Sequence, residues 1–340
     1  MTGEPPASPG TDAVEALRRA SRWQPLEFAF WALPVAGYLA FGDDLVFLTQ
    51  IAITALFALS LDLILGYAGI NSLGHAAFFG IGAYAAGMLA QHGWGDPLAG
   101  LAVSAACAAV AGFLTSFVVL RGADLTRLMV TLAIAMMLFD AANKFTDITG
   151  GVDGLQGMQS APLAGRFPFD LYGRTGYVYA VVVLFLLFHV ARRLTHSPLG
   201  ASLQGIRQNA GRMPALGTPV AARLVAIYTI AAAFAGAAGA LLAQTTQFVS
   251  IDVFAFSRSA ELMLIVVLGG TGTLYGPMLG AIVFMVARQV LSGIEPQYWE
   301  FWLGALLLAI VLFARGGLLG LGRQIVHRLR AKAAAPDGPA

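Results

Sequence analysis

Chemistry-bearing side chains are scarce in this 340-residue chain and gather in few places. The largest gathering is the polar stretch Thr195–Ala222, THSPLGASLQGIRQNAGRMPALGTPVAA. It carries Arg207 and Arg212, has no acidic residue, and is flanked by Arg192, Arg193 and Arg223. Guanidinium groups do not themselves break bonds; they hold anions, carbonyls and partner surfaces through charge and hydrogen bonding. A second gathering is Gly66–Tyr84, where Asn71, Ser72 and His75 stand among glycines at 66, 69, 74, 80 and 82. A third, Leu268–Pro277, reads LGGTGTLYGP and brings Gly269, Gly270 and Gly272 together with two threonines. Asp62, Asp140 and Glu261 are acids within or beside apolar runs, the type of group that could load and release protons.

Covalent chemistry finds little support. The chain has two lysines, Lys144 and Lys332, and neither follows a glycine-rich phosphate loop, so it supplies no nucleotide site of its own. His75 is followed by Ala76 and Ala77, which rules out a His-Glu-x-x-His zinc pair, and the histidines at 75, 92, 189, 196 and 327 lack ligand spacing. Ser72 has Gly74 behind it, but Ile70 stands where a nucleophile elbow needs its first glycine. The expectation is a non-enzyme with no metal, no cofactor in the chain and no nucleic-acid partner.

The elements that must position these groups are membrane helices. Hydrophobic residues make up 58% of the chain and charged residues 11%, far from ordinary soluble usage, and 40 glycines suit close helix packing in lipid. Cys107, the single cysteine, permits no internal disulfide, and Met1–Ala20 lacks the apolar core of a cleavable signal. Apolar runs near 27–41, 45–66, 75–91, 98–120, 125–143, 176–191, 223–243, 260–275, 277–292 and 300–314 approach the length needed to cross a bilayer. The fold class is therefore an all-α integral membrane protein of about ten helices, some broken or half-length. This arrangement gathers 15 of the 20 basic residues on one face, including Arg18, Arg19, Arg22, Arg121, Arg127 and the cluster from Arg315 to Lys332. The positive-inside rule makes that face, with both termini, cytoplasmic. The organisation expected is a disordered tail over 1–24, a membrane domain over 25–320 and a basic tail over 321–340. Within the domain, 145–175 forms an external loop and 195–222 a cytoplasmic one.

Each polar site has more than one physical use. Broken backbone at membrane depth needs protein or a water-filled cavity to satisfy it, so Asn71, Ser72, Gly74, His75, Gly269, Gly270 and Gly272 are candidates to line a pathway; alternatively, the glycines let helices approach. His75 reads first as a neutral imidazole bonded to a carbonyl freed by the break, with a gating role as the alternative. Asp140 reads as structural, Glu261 as complementing a helix N-terminus, and Asp62 stays open. Ile230–Ala243 offers Ala235, Gly236, Gly239 and Ala240 as a smooth packing face, within the chain or between subunits.

These segments resemble one family. Gly66–Tyr84, centred on Ser72–Tyr84, is similar to the signature of LivM-type permeases of branched-chain amino acid ABC importers. Ile206–Asn209 through Ala215–Gly217 resembles their cytoplasmic coupling motif, and Ala235–Leu241 and Leu268–Pro277 resemble further family segments, the whole covering roughly 45–320. The resemblance implies a multi-pass protein of the bacterial inner (plasma) membrane, in contact with lipid, with a second related permease, two ABC ATPase subunits and an external or periplasmic solute-binding protein. ATP and Mg would be bound by those ATPases. It makes Pro198, Gly205, Arg207, Asn209, Ala215, Leu216 and Gly217 the ATPase-coupling residues, and the alternative is an ordinary solvated basic loop. Gln208, Ala210 and Pro214 depart from the pattern, and Pro214 predicts that the docking helix ends or turns there. The implied cargo is a branched-chain or other hydrophobic amino acid, with urea, amides, aromatic acids or sugars as alternatives. A self-sufficient ion-coupled transporter is the rival class.

Overall fold

A computed structural model describes residues 25–320, apart from 159, 164, 171, 314 and 315. The two tails, with Arg18, Arg19, Arg22, Arg315 and the basic residues beyond 320, lie outside the described residues. The longer helices are α1 (Pro25–Ala40), α2 (Leu45–Asp62, running into a π-turn Leu63–Tyr67), α3 (Ala76–Gln91), α4 (Pro97–Val119), α5 (Asp124–Lys144) and α6 (Arg174–Thr195). After these come α7 (Pro198–Asn209), α8 (Val220–Thr246), α9 (Phe256–Gly269), α10 (Gly276–Ile294) and α11 (Trp299–Phe313). Among the described residues, six stretches are long and apolar enough to cross a membrane: α2 with its π-turn, α4, α5, α6, α8 and α10. Apolar parts of α1, α3 and α11 are shorter. The eighth expected span, 260–275, differs most. Its helix starts earlier, at Phe256, and stops at Gly269, where Gly270 takes a φ of +110° that a side chain would resist.

At the centre stands α8, 27 residues long and packed between α3 and α4. The small-residue face read from Ile230–Ala243 is spent inside the chain. A side chain at Gly236 would collide with Ala108 and Ser104 of α4, and one at Gly239 would land on the Phe79 carbonyl of α3. On the other partner, Gly100, Ser104, Ala108, Gly112 and Ser116 of α4 are buried at every fourth position, a ridge matched to a helix groove. Backbones this close gain dispersion contacts that lipid would otherwise supply.

The first helix is tied to α6 by polar contacts. Arg192 and Glu27 form an ion pair whose side chains are only 7% and 17% exposed, and the Tyr177 hydroxyl donates to the Pro34 carbonyl at 2.8 Å. Arg192 is thus a buried strut, not a charge guarding the loop that follows it. The segment between α5 and α6 folds over one end of the bundle. It holds a helical turn Thr146–Thr149 and a 3-10 turn Gly151–Asp153, and Leu155 bridges to Val249.

Candidate functional site

The three polar gatherings of the sequence meet at the other end of the bundle. Pro198 starts α7, where its missing N–H costs nothing. Gly200, Leu203 and Ile206 form the buried stripe, every third residue, that lays α7 against the membrane helices. Arg207 follows that stripe, and its guanidinium donates to the Gly66 carbonyl in the π-turn. The Arg207 side chain also lies against Gly69, whose φ of +71° turns the chain out of α2.

The second break joins the same cluster. Asp62, fully buried, accepts a hydrogen bond from the Gly272 N–H at 2.8 Å. Gly66 leaves no room for a side chain, because a Cβ there would strike both the Asp62 carboxylate and the Gly272 nitrogen. Asp62, Gly66, Arg207 and Gly272 therefore form one node between the α2 break, the α9–α10 turn and α7. Its groups fit chemically: the Asp62 carboxyl accepts from one broken backbone and the Arg207 guanidinium donates to the other. Asp62, left open by its position in the sequence, becomes a central residue. The contacts span 141 and 210 positions, so no local pattern could have shown them.

Side chains satisfy further backbone groups of the first break. The Leu73 N–H donates to Thr131 Oγ1 at 3.2 Å, and the Ala76 N–H donates to Ser259 Oγ at 3.0 Å. Ser72 accepts from Gly74 N at 3.4 Å, and a Cβ at Gly74 would overlap the Thr131 carbonyl. His75 is fully buried and 2.9 Å from Ser60 Oγ. Ser60 already donates its proton to the Phe57 carbonyl at 2.6 Å, so the His75 Nε2–H must donate to Ser60. Its partner is thus a hydroxyl, where a backbone carbonyl was expected, and the ring is clamped between Phe57 and Phe78.

At the α9–α10 turn, Gly269 and Gly280 have no space for side chains against the backbones of Gly276 and Ile265, and Thr273 caps the turn by donating to the Gly270 carbonyl at 2.8 Å. The acids fall elsewhere. Asp140 is exposed, and Glu261 lies in the second turn of α9, 3.8 Å from Arg288; a partner side chain, not its own helix terminus, faces it.

The outer surface of α7 carries the remaining loop residues, away from both breaks. The helix ends at Asn209, whose side chain accepts from Arg212 N at 3.2 Å, and Pro214 opens a 3-10 turn Pro214–Leu216, as a proline should. Met213 folds over Gly205, and Gly217, with φ +76°, closes the turn by donating to the Pro214 carbonyl at 2.9 Å. Leu216 is left 76% exposed beside Ala215, an apolar knob on a polar surface.

Comparison with known proteins adds the family. Residues 45–311 match the family described as branched-chain amino acid transport system / permease component. The chain is 32% identical over 324 residues to the high-affinity branched-chain amino acid transport system permease protein LivM of Escherichia coli K12, covering 87% of this chain and 73% of that one. Against the Salmonella typhimurium protein of the same name, identity is 33% over 309 residues, covering 82% and 70%. A probable branched-chain amino acid transport permease protein LivM of Methanocaldococcus jannaschii is 27% identical over 316 residues, covering 77% and 89%. No solved structure matches. With six membrane-length helices and a match over most of its length, the chain belongs to the branched-chain amino acid transport permease family and is a multi-pass membrane protein.

Proposed function

We propose that this chain is one membrane half of an ATP-driven importer for branched-chain or similar hydrophobic amino acids. A second related permease forms the other half, an external solute-binding protein delivers cargo, and two ABC ATPases, which bind ATP and Mg, dock on α7 and the turn after it. The observation that carries this reading is the reach of Arg207: one side chain of the protruding loop grips the broken backbone of α2 beside the α9–α10 turn. A force applied to α7 therefore arrives at two discontinuous helices at once. The exposed Leu216 offers the apolar contact that a docking groove would cover. In this reading α1, α3, α9 and α11 complete ten crossings or half-crossings of the inner membrane, and α7 and both termini are cytoplasmic.

The test is reconstitution of the chain with its ATPases, companion permease and binding protein in liposomes. ATP-dependent uptake of leucine, isoleucine or valine is expected. Leu216→Asp should abolish uptake while the chain still inserts and remains folded. Uptake by this chain alone on an ion gradient, or full coupling in the Leu216→Asp complex, refutes the proposal.

A further inference from the structure

The opposite halves of α2, α9 and α10 enclose a second polar constellation. A cavity of about 360 Å³ lies there, at the small end of the roughly 300–1,000 Å³ range of small-molecule sites. None of the glycine-break residues lines it. Gln50 and Thr54 of α2, Arg258 and Glu261 of α9, and Arg288 and Gln289 of α10 supply its polar wall. Phe57, Ile265 and Phe284, each nearer the glycine-break end of its helix, supply an apolar floor. Two cations and one anion in an otherwise apolar bundle are costly unless they face water, protein or a ligand.

The charges are held but incompletely used. Glu261 is 3.8 Å from Arg288, too long for a direct hydrogen bond, and both side chains are nearly half exposed. Arg258 lies over the Phe79 ring at 5.5 Å, and Arg288 over Trp299 at 5.2 Å. Aromatic faces hold the guanidinium planes while leaving their N–H edges free for a carboxylate. The site thus offers a net positive charge, one acceptor for an ammonium group, and an apolar recess below them.

Building on the importer reading, we propose that this cavity is a solute site within the permease for a zwitterionic α-amino acid with an apolar side chain. Arg258 takes the carboxylate, Glu261 the ammonium group, and the side chain points toward Phe57 and Ile265. Arg288 positions Glu261 through its loose ion pair.

The test uses the full complex in two measurements. The first is ATP-driven leucine uptake at saturating leucine and binding protein. The second is saturation-transfer NMR on the permease–ATPase complex without binding protein, with leucine, its des-amino analogue 4-methylpentanoate and leucinamide as probes. Leucine should give the strongest signal in the wild type. Arg258→Gln should lower leucine uptake about tenfold or more and remove the leucine signal, as loss of a charge-assisted contact requires. Arg258→Lys should recover part of it. Glu261→Gln should bring 4-methylpentanoate up to the level of leucine. Wild-type leucine import with unchanged uptake and probe order in both glutamine variants would overturn the site and leave the importer reading standing. A wild-type complex that imports no amino acid under ATP would overturn both. Loss of the companion permease on purification of the variants would assign the charges to a subunit contact and so reject the site.

Discussion

Replacing Arg207 with Met isolates the contact between the protruding loop and the broken helix. Methionine keeps much of the aliphatic length that covers Gly69 but removes the donor to the Gly66 carbonyl and the cation near Asp62. A hydrogen bond involving a charged partner contributes about 1.5–3 kcal/mol, and its loss also leaves a carbonyl of the π-turn unpaired. At about 1.4 kcal/mol per decade, an equilibrium that depends on this contact shifts roughly 10- to 150-fold. If α7 acts on the node only through Arg207, the number of amino acids imported per ATP hydrolysed should fall by at least about tenfold. Basal ATP hydrolysis should persist, because the docking face with Leu216 and Gly217 is untouched. The assay is parallel measurement of uptake and phosphate release in proteoliposomes, with Arg212→Met as the comparison on the same loop. An unchanged transport-to-hydrolysis ratio in Arg207→Met, or an equal fall in Arg212→Met, would refute the reasoning.

Other predictions concern the scaffold. Arg192→Gln leaves Glu27 as a buried carboxylate without its main partner and should destabilise the protein by about 3–5 kcal/mol; thermal unfolding in detergent should show a larger loss than for the double variant with Glu27→Gln. Gly239→Ala drives a methyl into the Phe79 carbonyl and should cost about 1–3 kcal/mol in the same assay, whereas Gly304→Ala, with open space around it, should be neutral or slightly stabilising. His75→Gln keeps a donor for Ser60 and should retain folding and most transport, while His75→Leu should lower thermal stability; transport lost in the glutamine variant at normal stability would give His75 a role beyond bracing the break.

What the sequence revealed follows the range of the interactions involved. Apolar runs, the helix stop before Pro214 and the smooth face of α8 are written in neighbouring residues, and each has its counterpart in the structure. The ridge Gly100-x₃-Ser104-x₃-Ala108-x₃-Gly112-x₃-Ser116 is equally local, small residues at every fourth position within a generally apolar run. Arg192 stands beside a basic loop in the sequence, and nothing there points to its partner Glu27, 165 positions away. Arg258 and Arg288 are two of the five basic residues that fall outside the basic face. Two cations stranded in apolar segments were themselves the signal of a polar cavity. The node could not be read at all, since its parts become neighbours only when the chain folds.

The geometry of α9 carries one more consequence. Its first turns present Arg258 and Glu261 to the charged cavity, and its last residue leads into the glycine turn held by Asp62. From Arg258 to Gly269 the helix rises about 16 Å, so a tilt of about 7° pivoting at the glycine end moves the Arg258 end by roughly 2 Å. Gly270 and Gly272, with φ of +110° and +77°, stand at that pivot, and the helix Phe256–Gly269 is continuous up to it. A small rotation imposed at the glycine end would, over about half of the ~30 Å hydrocarbon core, change the width of the charged cavity.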